Sequence, residues 1–323
     1  MKSFNHISPG SLKEAIHILK EHNGRAVVIA GGTDLLSVLK DRLLPSYPET
    51  VINIKSIPGL DNIKKTGKAL HLGPLCRLAD IANSPEVLER FSILAEAAKS
   101  VATPHIRNMA TIGGNLCQDV RCWYYRYPHH LGGRIICHRK GKGPCHALKG
   151  DNRYSAIMGT KKCFAVSPSD TAVALSALDA EIKIIGKKGE RSVSIRDFYT
   201  PMGNILNKDE LVTGIRIPLP HPHSRQSFIK FTQRKPVDFA IVSVASVITV
   251  KEGICADARI ALGGVAPMPI RAFEAEQVLI GRPVNKSNIA EAADAAVSVA
   301  KPLSKNAYKI EITRTLIKRS ILI

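Results

Sequence analysis

Apolar residues at Leu12, Ala15, Ile16 and Leu19 recur at the three-to-four spacing of a single helix face, with Ser11 and Glu14 as a capping pair ahead of them. Asn23-Gly24 supplies the stop. The pattern then changes to an unbroken apolar run over 26–30, the mark of a strand buried on both faces, which ends in Gly31-Gly32-Thr33-Asp34. A second strand is predicted over 51–54, and Pro58-Gly59 marks a turn. This alternation of helix and strand makes 1–57 a first subdomain.

The next stretch, 58–218, is mixed. Pro85 opens a segment in which Val87, Leu88, Phe91, Leu94, Ala95 and Ala98 share a face, predicting one long amphipathic helix. It leads into Thr103-Pro104-His105-Ile106-Arg107 and then Ala110-Thr111-Ile112-Gly113-Gly114-Asn115. Ser169-Asp170 caps a helix of small apolar residues over 172–180, and strands are predicted over 181–185, 192–195 and 211–217. Pro218, Pro220 and Pro222 form a stiff linker to a last unit, 223–323. There, strands over 227–233, 241–250 and 256–262, with a hairpin turn at Glu252-Gly253, precede helices over 271–280, 286–299 and 306–322. The fold class is α+β, in three units.

Composition changes the picture through its distribution. Lysine plus arginine exceed acids by 46 to 27, a balance of +19 that ordinarily points to nucleic acid, an anionic membrane or an acidic partner. Ten of the bases lie within 121–163 against one acid, Asp151, so about half of the surplus is local. No apolar stretch reaches the length of a membrane span, and 1–10 holds no apolar run of a signal peptide. A cytoplasmic location is expected, with export of a folded complex on a partner's signal left open.

Three motifs carry candidate chemistry. Val27-Val28-Ile29-Ala30-Gly31-Gly32-Thr33-Asp34-Leu35 joins a buried strand to a glycine pair, where a phosphate can approach backbone N–H groups closely. It lacks the spacing of the dinucleotide fingerprint and of the P-loop. A lone Gly-Gly turn is most often structural, but Ala110, Thr111, Gly114 and Asn115 belong to a second such loop, and two suit the two ends of a diphosphate cofactor. The third motif is the basic segment at about 118–165, where Cys122, Cys137, Cys145 and Cys163 occur without an apolar run long enough for a core. Four thiolates there predict a metal centre, iron–sulfur or zinc, with iron–sulfur favoured because no paired C-x2-C knuckles are present. The zinc reading, with the run Tyr124-Tyr125-Arg126-Tyr127 as a stacking flap, would make a basic nucleic-acid-binding module.

The ordered set Ala30-Gly31-Gly32-Thr33-Asp34-Leu35, Arg107-Asn108-Met109-Ala110-Thr111-Ile112-Gly113-Gly114-Asn115-Leu116, Ser167-Pro168-Ser169-Asp170 and Ala261-Leu262-Gly263-Gly264-Val265-Ala266-Pro267 resembles the FAD-binding subunit of the molybdenum hydroxylases. That group comprises xanthine dehydrogenase, aldehyde oxidoreductase and carbon monoxide dehydrogenase. The resemblance spans nearly the whole chain and implies a two-part, PCMH-like FAD-binding region followed by a C-terminal antiparallel sheet with helices. It implies FAD contacts at both glycine loops, with Asp170, Val212 and Lys230 carried over as cofactor-binding positions. The cysteine segment resembles the [4Fe-4S] insertion of trimeric bacterial aldehyde oxidoreductases and of 4-hydroxybenzoyl-CoA reductase. The stretch Cys145-His146-Ala147-Leu148-Lys149-Gly150 and the long gap to Cys163 are closer to the aldehyde type. Substrate chemistry would then belong to a molybdopterin-binding large subunit, with [2Fe-2S] clusters on a small subunit. This chain would pass electrons through FAD to an external acceptor, or from a donor, and would bind no nucleic acid. An aldehyde oxidoreductase is expected; 4-hydroxybenzoyl-CoA reductase and a purine or N-heterocycle dehydrogenase are the alternatives.

Overall fold

The computed structural model describes residues 1–234 and 237–322, whose main elements form three sheets backed by helices. The first comprises β1 (Asn5–Ile7), α1 (Leu12–His22), β2 (Ala26–Ile29), α2 (Leu35–Lys40) and β3 (Thr50–Asn53), with strands parallel in the order β1-β3-β2. Ser11 Oγ accepts the Glu14 N–H at 3.2 Å, and Asn23 closes α1 in the left-handed region at φ 43°. The return bond of the capping pair goes one residue further back, from Gly10 N–H to Glu14 Oε2 at 2.7 Å. Ala15, Ile18 and Leu19 are buried in one cluster with Ile52, Ile54 and Ile57.

The second sheet follows from β4 (Ile63–Thr66), β5 (Ala69–Leu72), a run of helices, β6 (Glu181–Gly186), β7 (Gly189–Ser194), a small ribbon of β8 (Tyr199–Thr200) and β9 (Gly203–Asn204), and β10 (Leu211–Pro218). It is antiparallel in the order β4-β5-β10-β6-β7. Its helices are α3 (Leu78–Asn83), α4 (Pro85–Arg90), α5 (Ser92–Lys99), α6 (Pro104–Arg107), α7 (Ile112–Cys117) and α8 (Asp170–Ala177). The single long helix expected from Pro85 is two, because Phe91 leaves helical geometry at φ −134°, ψ 42° and caps both pieces while its ring is buried. Leu88 consequently points to solvent. Every residue of α8 is buried, and its small side chains let it pack against the third sheet as well.

That third sheet is antiparallel in the order β11 (Ser224–Phe231), β12 (Val242–Lys251), β13 (Ile254–Gly263) and β14 (Ile270–Arg271), covered by α9 (Phe273–Leu279), α10 (Lys286–Val297) and α11 (Tyr308–Ile321). Glu252-Gly253 makes the expected turn with φ of 50° and 80°. The helix predicted from 271 starts at Phe273, because Ile270 and Arg271 pair with Leu262 and Ala261 as a short strand. The strand predicted over 227–233 lies three residues earlier at its start, in register with β12 from Ser224↔Thr249. No helix among the described residues is long and apolar enough to cross a membrane.

Candidate functional site

A cleft of about 710 Å³ opens where the chain leaves β2, with 27–35 on one side and Ala110, Thr111, Gly114 and Asn115 on the other. The glycines have separate duties. A Cβ on Gly31 would overlap the Met109 carbonyl oxygen, so glycine there lets the two loops touch. Gly32 sits at φ +72°, a backbone that side-chain-bearing residues adopt only with strain. Gly113 packs on Pro74, whereas a Cβ on Gly114 would meet only the Thr111 hydroxyl, at 3.1 Å.

The two loops differ in what their amides do. The second is not a loop: Thr111 caps α7, and Ile112, Gly113, Gly114 and Asn115 N–H groups already donate to Cys76 O, Pro74 O, Thr111 Oγ1 and Thr111 O. The N–H groups of Gly31, Gly32, Thr33 and Asp34 find no acceptor among the described residues. Unpaired amides grouped at a cleft favour an anion there. From the opposite wall, Asn115 Oδ1 accepts Ser169 Oγ at 2.7 Å and Thr171 Oγ1 at 2.6 Å, which leaves its Nδ2 as a donor for the cleft.

Asp170 and Lys230 lie behind the wall rather than on it. Lys230 Nζ is 2.7 Å from Asp170 Oδ2 and donates to Ser100 O at 3.0 Å; burial pushes the Asp170 carboxyl upward and the ammonium opposes it. The pair anchors the residue before Val101 and Ala102, which do line the cleft, and Arg107 Nη1 holds both of their carbonyls at 2.9 Å. Val212 is placed in the core of the second sheet, opposite Ile184 on β6, away from the cleft. The Asp34 carboxylate is also turned from the cleft's open amides. It accepts Arg121 Nη2 at 2.7 Å, Arg126 Nη1 and Nη2 at 2.8 and 3.1 Å, and the Asp119 N–H at 3.0 Å. Burial alone would raise this carboxyl, but its bonds to Arg126 and the charge of both arginines hold it below the usual carboxylate value.

These arginines tie the glycine loop to the cysteine segment. Cys122, Cys137 and Cys163 share a small apolar cluster with Val38, Leu43 and Tyr125, and Arg139 Nε donates to Cys163 Sγ at 3.2 Å. Cys145 is near enough for its charge to act on Cys122, whose thiol is pushed up to about 11, chiefly by burial. Among the described residues, however, no three His, Cys, Asp or Glu side chains converge closely enough to hold a single metal ion. Sequence reasoning missed several cleft-lining residues, among them Tyr199, Asn204, Gln118, Arg121 and Arg139. Tyr199 and Asn204 belong to the β8–β9 ribbon, too short to leave a periodic signal, and the arginines registered only as surplus charge.

Comparison with known proteins covers nearly the whole chain. The FAD binding domain in molybdopterin dehydrogenase matches residues 2–220, and the CO dehydrogenase flavoprotein C-terminal domain matches 227–323. The chain is 33% identical to the aldehyde oxidoreductase FAD-binding subunit of Escherichia coli, across 97% of this chain and 96% of that one. It is 28% identical to the carbon monoxide dehydrogenase medium chain of Hydrogenophaga pseudoflava, across 98% and 96%. A solved carbon monoxide dehydrogenase from that organism superposes with a TM-score of 0.79 at 27% identity, covering 99% of this chain and 96% of the other. Quinoline 2-oxidoreductase from Pseudomonas putida 86 gives 0.78 at 26% identity, covering 100% and 97%.

Proposed function

The chain belongs to the FAD-binding medium subunits of the molybdenum hydroxylases, and from that premise we propose that it is the flavin and [4Fe-4S] subunit of a trimeric aldehyde oxidoreductase. Its partners would be a molybdopterin-binding large subunit and a [2Fe-2S] small subunit. The observation that carries the flavin site is the row of unpaired amides at Gly31, Gly32, Thr33 and Asp34 facing a cleft of FAD-sized volume. Those amides receive the diphosphate, and the Asn115 Nδ2 donates from the facing wall. Asp170 and Lys230 act as positioning residues through Ser100, and Asp34 fixes the loop through Arg121 and Arg126. Bound FAD supplies the step between one-electron centres and a two-electron acceptor.

The cluster proposal is supported by the gathering of Cys122, Cys137 and Cys163, by the reach of Cys145, and by the cationic segment that offsets thiolate charge. A cubane spaces its thiolates more widely than a single ion does, and the cysteine segment carries none of the paired C-x2-C knuckles typical of zinc ribbons. Iron analysis of the purified complex tests it. Ser at Cys122, Cys137, Cys145 or Cys163 is expected to lower iron content, and Cys117→Ser to leave it unchanged; iron lost with Cys117 and retained with any of the four would overturn the ligand set.

A further inference from the structure

Beside the cleft lies a second cavity of about 360 Å³, a size suited to a molecule of one or two rings. Aromatic side chains line it. Trp123 and Tyr154 meet edge to face with centroids 5.2 Å apart, and Phe239 carries the Arg121 guanidinium 4.2 Å from its ring centroid. Arg121 and Phe239 line both spaces and so form their common wall.

Lys309 also lines this cavity, with its side chain only 1% exposed. Its Nζ donates to Tyr154 O at 3.0 Å and Gly264 O at 2.8 Å, which uses two of the three ammonium protons. The acids at the cavity are already paired, Asp151 with Arg153 and Asp238 with Arg234. Burial pushes the Lys309 ammonium down to about 7, with no neighbouring charge opposing it. A buried cation without a counter-ion is costly, and an anion entering the cavity would offset that cost.

We propose that the cavity is a binding site for a planar aromatic anion of one or two rings, its ring against Trp123, Tyr154 and Phe239 and its negative group on Lys309. Cys122, a ligand of the proposed cluster, also lines the cavity, so the site rests in part on that reading.

Trp123 is the only tryptophan in the chain, so quenching of its fluorescence reports occupancy. The probes are 4-nitrobenzoate and its neutral isostere 4-nitrobenzamide, titrated into the full chain at about pH 5.5, well below the lowered value of the ammonium, so that it keeps its proton. The anion is expected to quench saturably and to bind about tenfold more tightly than the amide, as a charge-assisted bond should. Lys309→Met is expected to erase that preference. Ala240→Phe, which adds a ring at a lining loop position, is expected to weaken both probes and decides the matter where Lys309→Met does not fold. Equal affinity for the two probes, quenching that does not saturate, a preference retained in Lys309→Met, or full binding in Ala240→Phe would each overturn the site.

Discussion

Asp34 shows how far a residue's role can differ from its motif. It stands in a glycine loop and reads as a cofactor contact, yet its carboxylate is engaged by Arg121 and Arg126, 87 and 92 residues away in sequence. No local spacing could reveal those partners. Asp34→Ala would leave two partly buried guanidinium groups without their shared anion, and the expected loss is about 2–3 kcal/mol in denaturant unfolding. The pH dependence has a definite sign. Because the folded carboxyl titrates below the ordinary value of 3.8, its contribution is complete above that value and disappears as pH falls through the lower folded one. The acid limb of the wild-type stability curve should therefore flatten in Asp34→Ala; an identical limb would show that the pairing contributes nothing.

At the scale of elements, α1 was legible because its cap, its apolar stripe and its left-handed stop agree. The break between α4 and α5 was not, since Phe91 fits the same stripe whether the helix continues or ends, and only tertiary burial of the ring decides. The segment at Thr111 looked like a second phosphate loop for a related reason. Glycine pairs serve turns and close packing alike, and here Gly113 meets Pro74 within a helix. The glycines therefore differ in tolerance. Gly31→Ala drives a Cβ into the Met109 carbonyl and should cost about 1–3 kcal/mol, whereas Gly114→Ala asks only a small shift of the Thr111 hydroxyl and should stay within about 1 kcal/mol. Thermal unfolding of the two variants gives the comparison, and equal losses would mean that loop contact is not what Gly31 provides.

For the whole molecule, at least two strands of each of the three sheets were readable from periodicity, but β1, β4, β5 and β14 were too short to register, and the cleft was not readable at all, because 27–35, 101–121 and 199–204 come together only in the folded chain. The surplus of +19 also acts at this scale. If an acidic partner subunit offsets it, association should weaken markedly between about 50 and 200 mM salt, within which the screening length shrinks to about 8 Å; salt-independent assembly would assign the interface to apolar contact instead. The central claim is that the open amides at Gly31, Gly32, Thr33 and Asp34 hold the diphosphate of FAD. Its most direct test is equilibrium titration of the deflavinated chain with FAD and with riboflavin, which lacks the diphosphate, in wild type and in Gly31→Ala. The account predicts binding of FAD about a hundredfold or more tighter than riboflavin in the wild type, and loss of most of that difference in the variant. Equal affinity for the two ligands in the wild type, or an undiminished preference in Gly31→Ala, would contradict it.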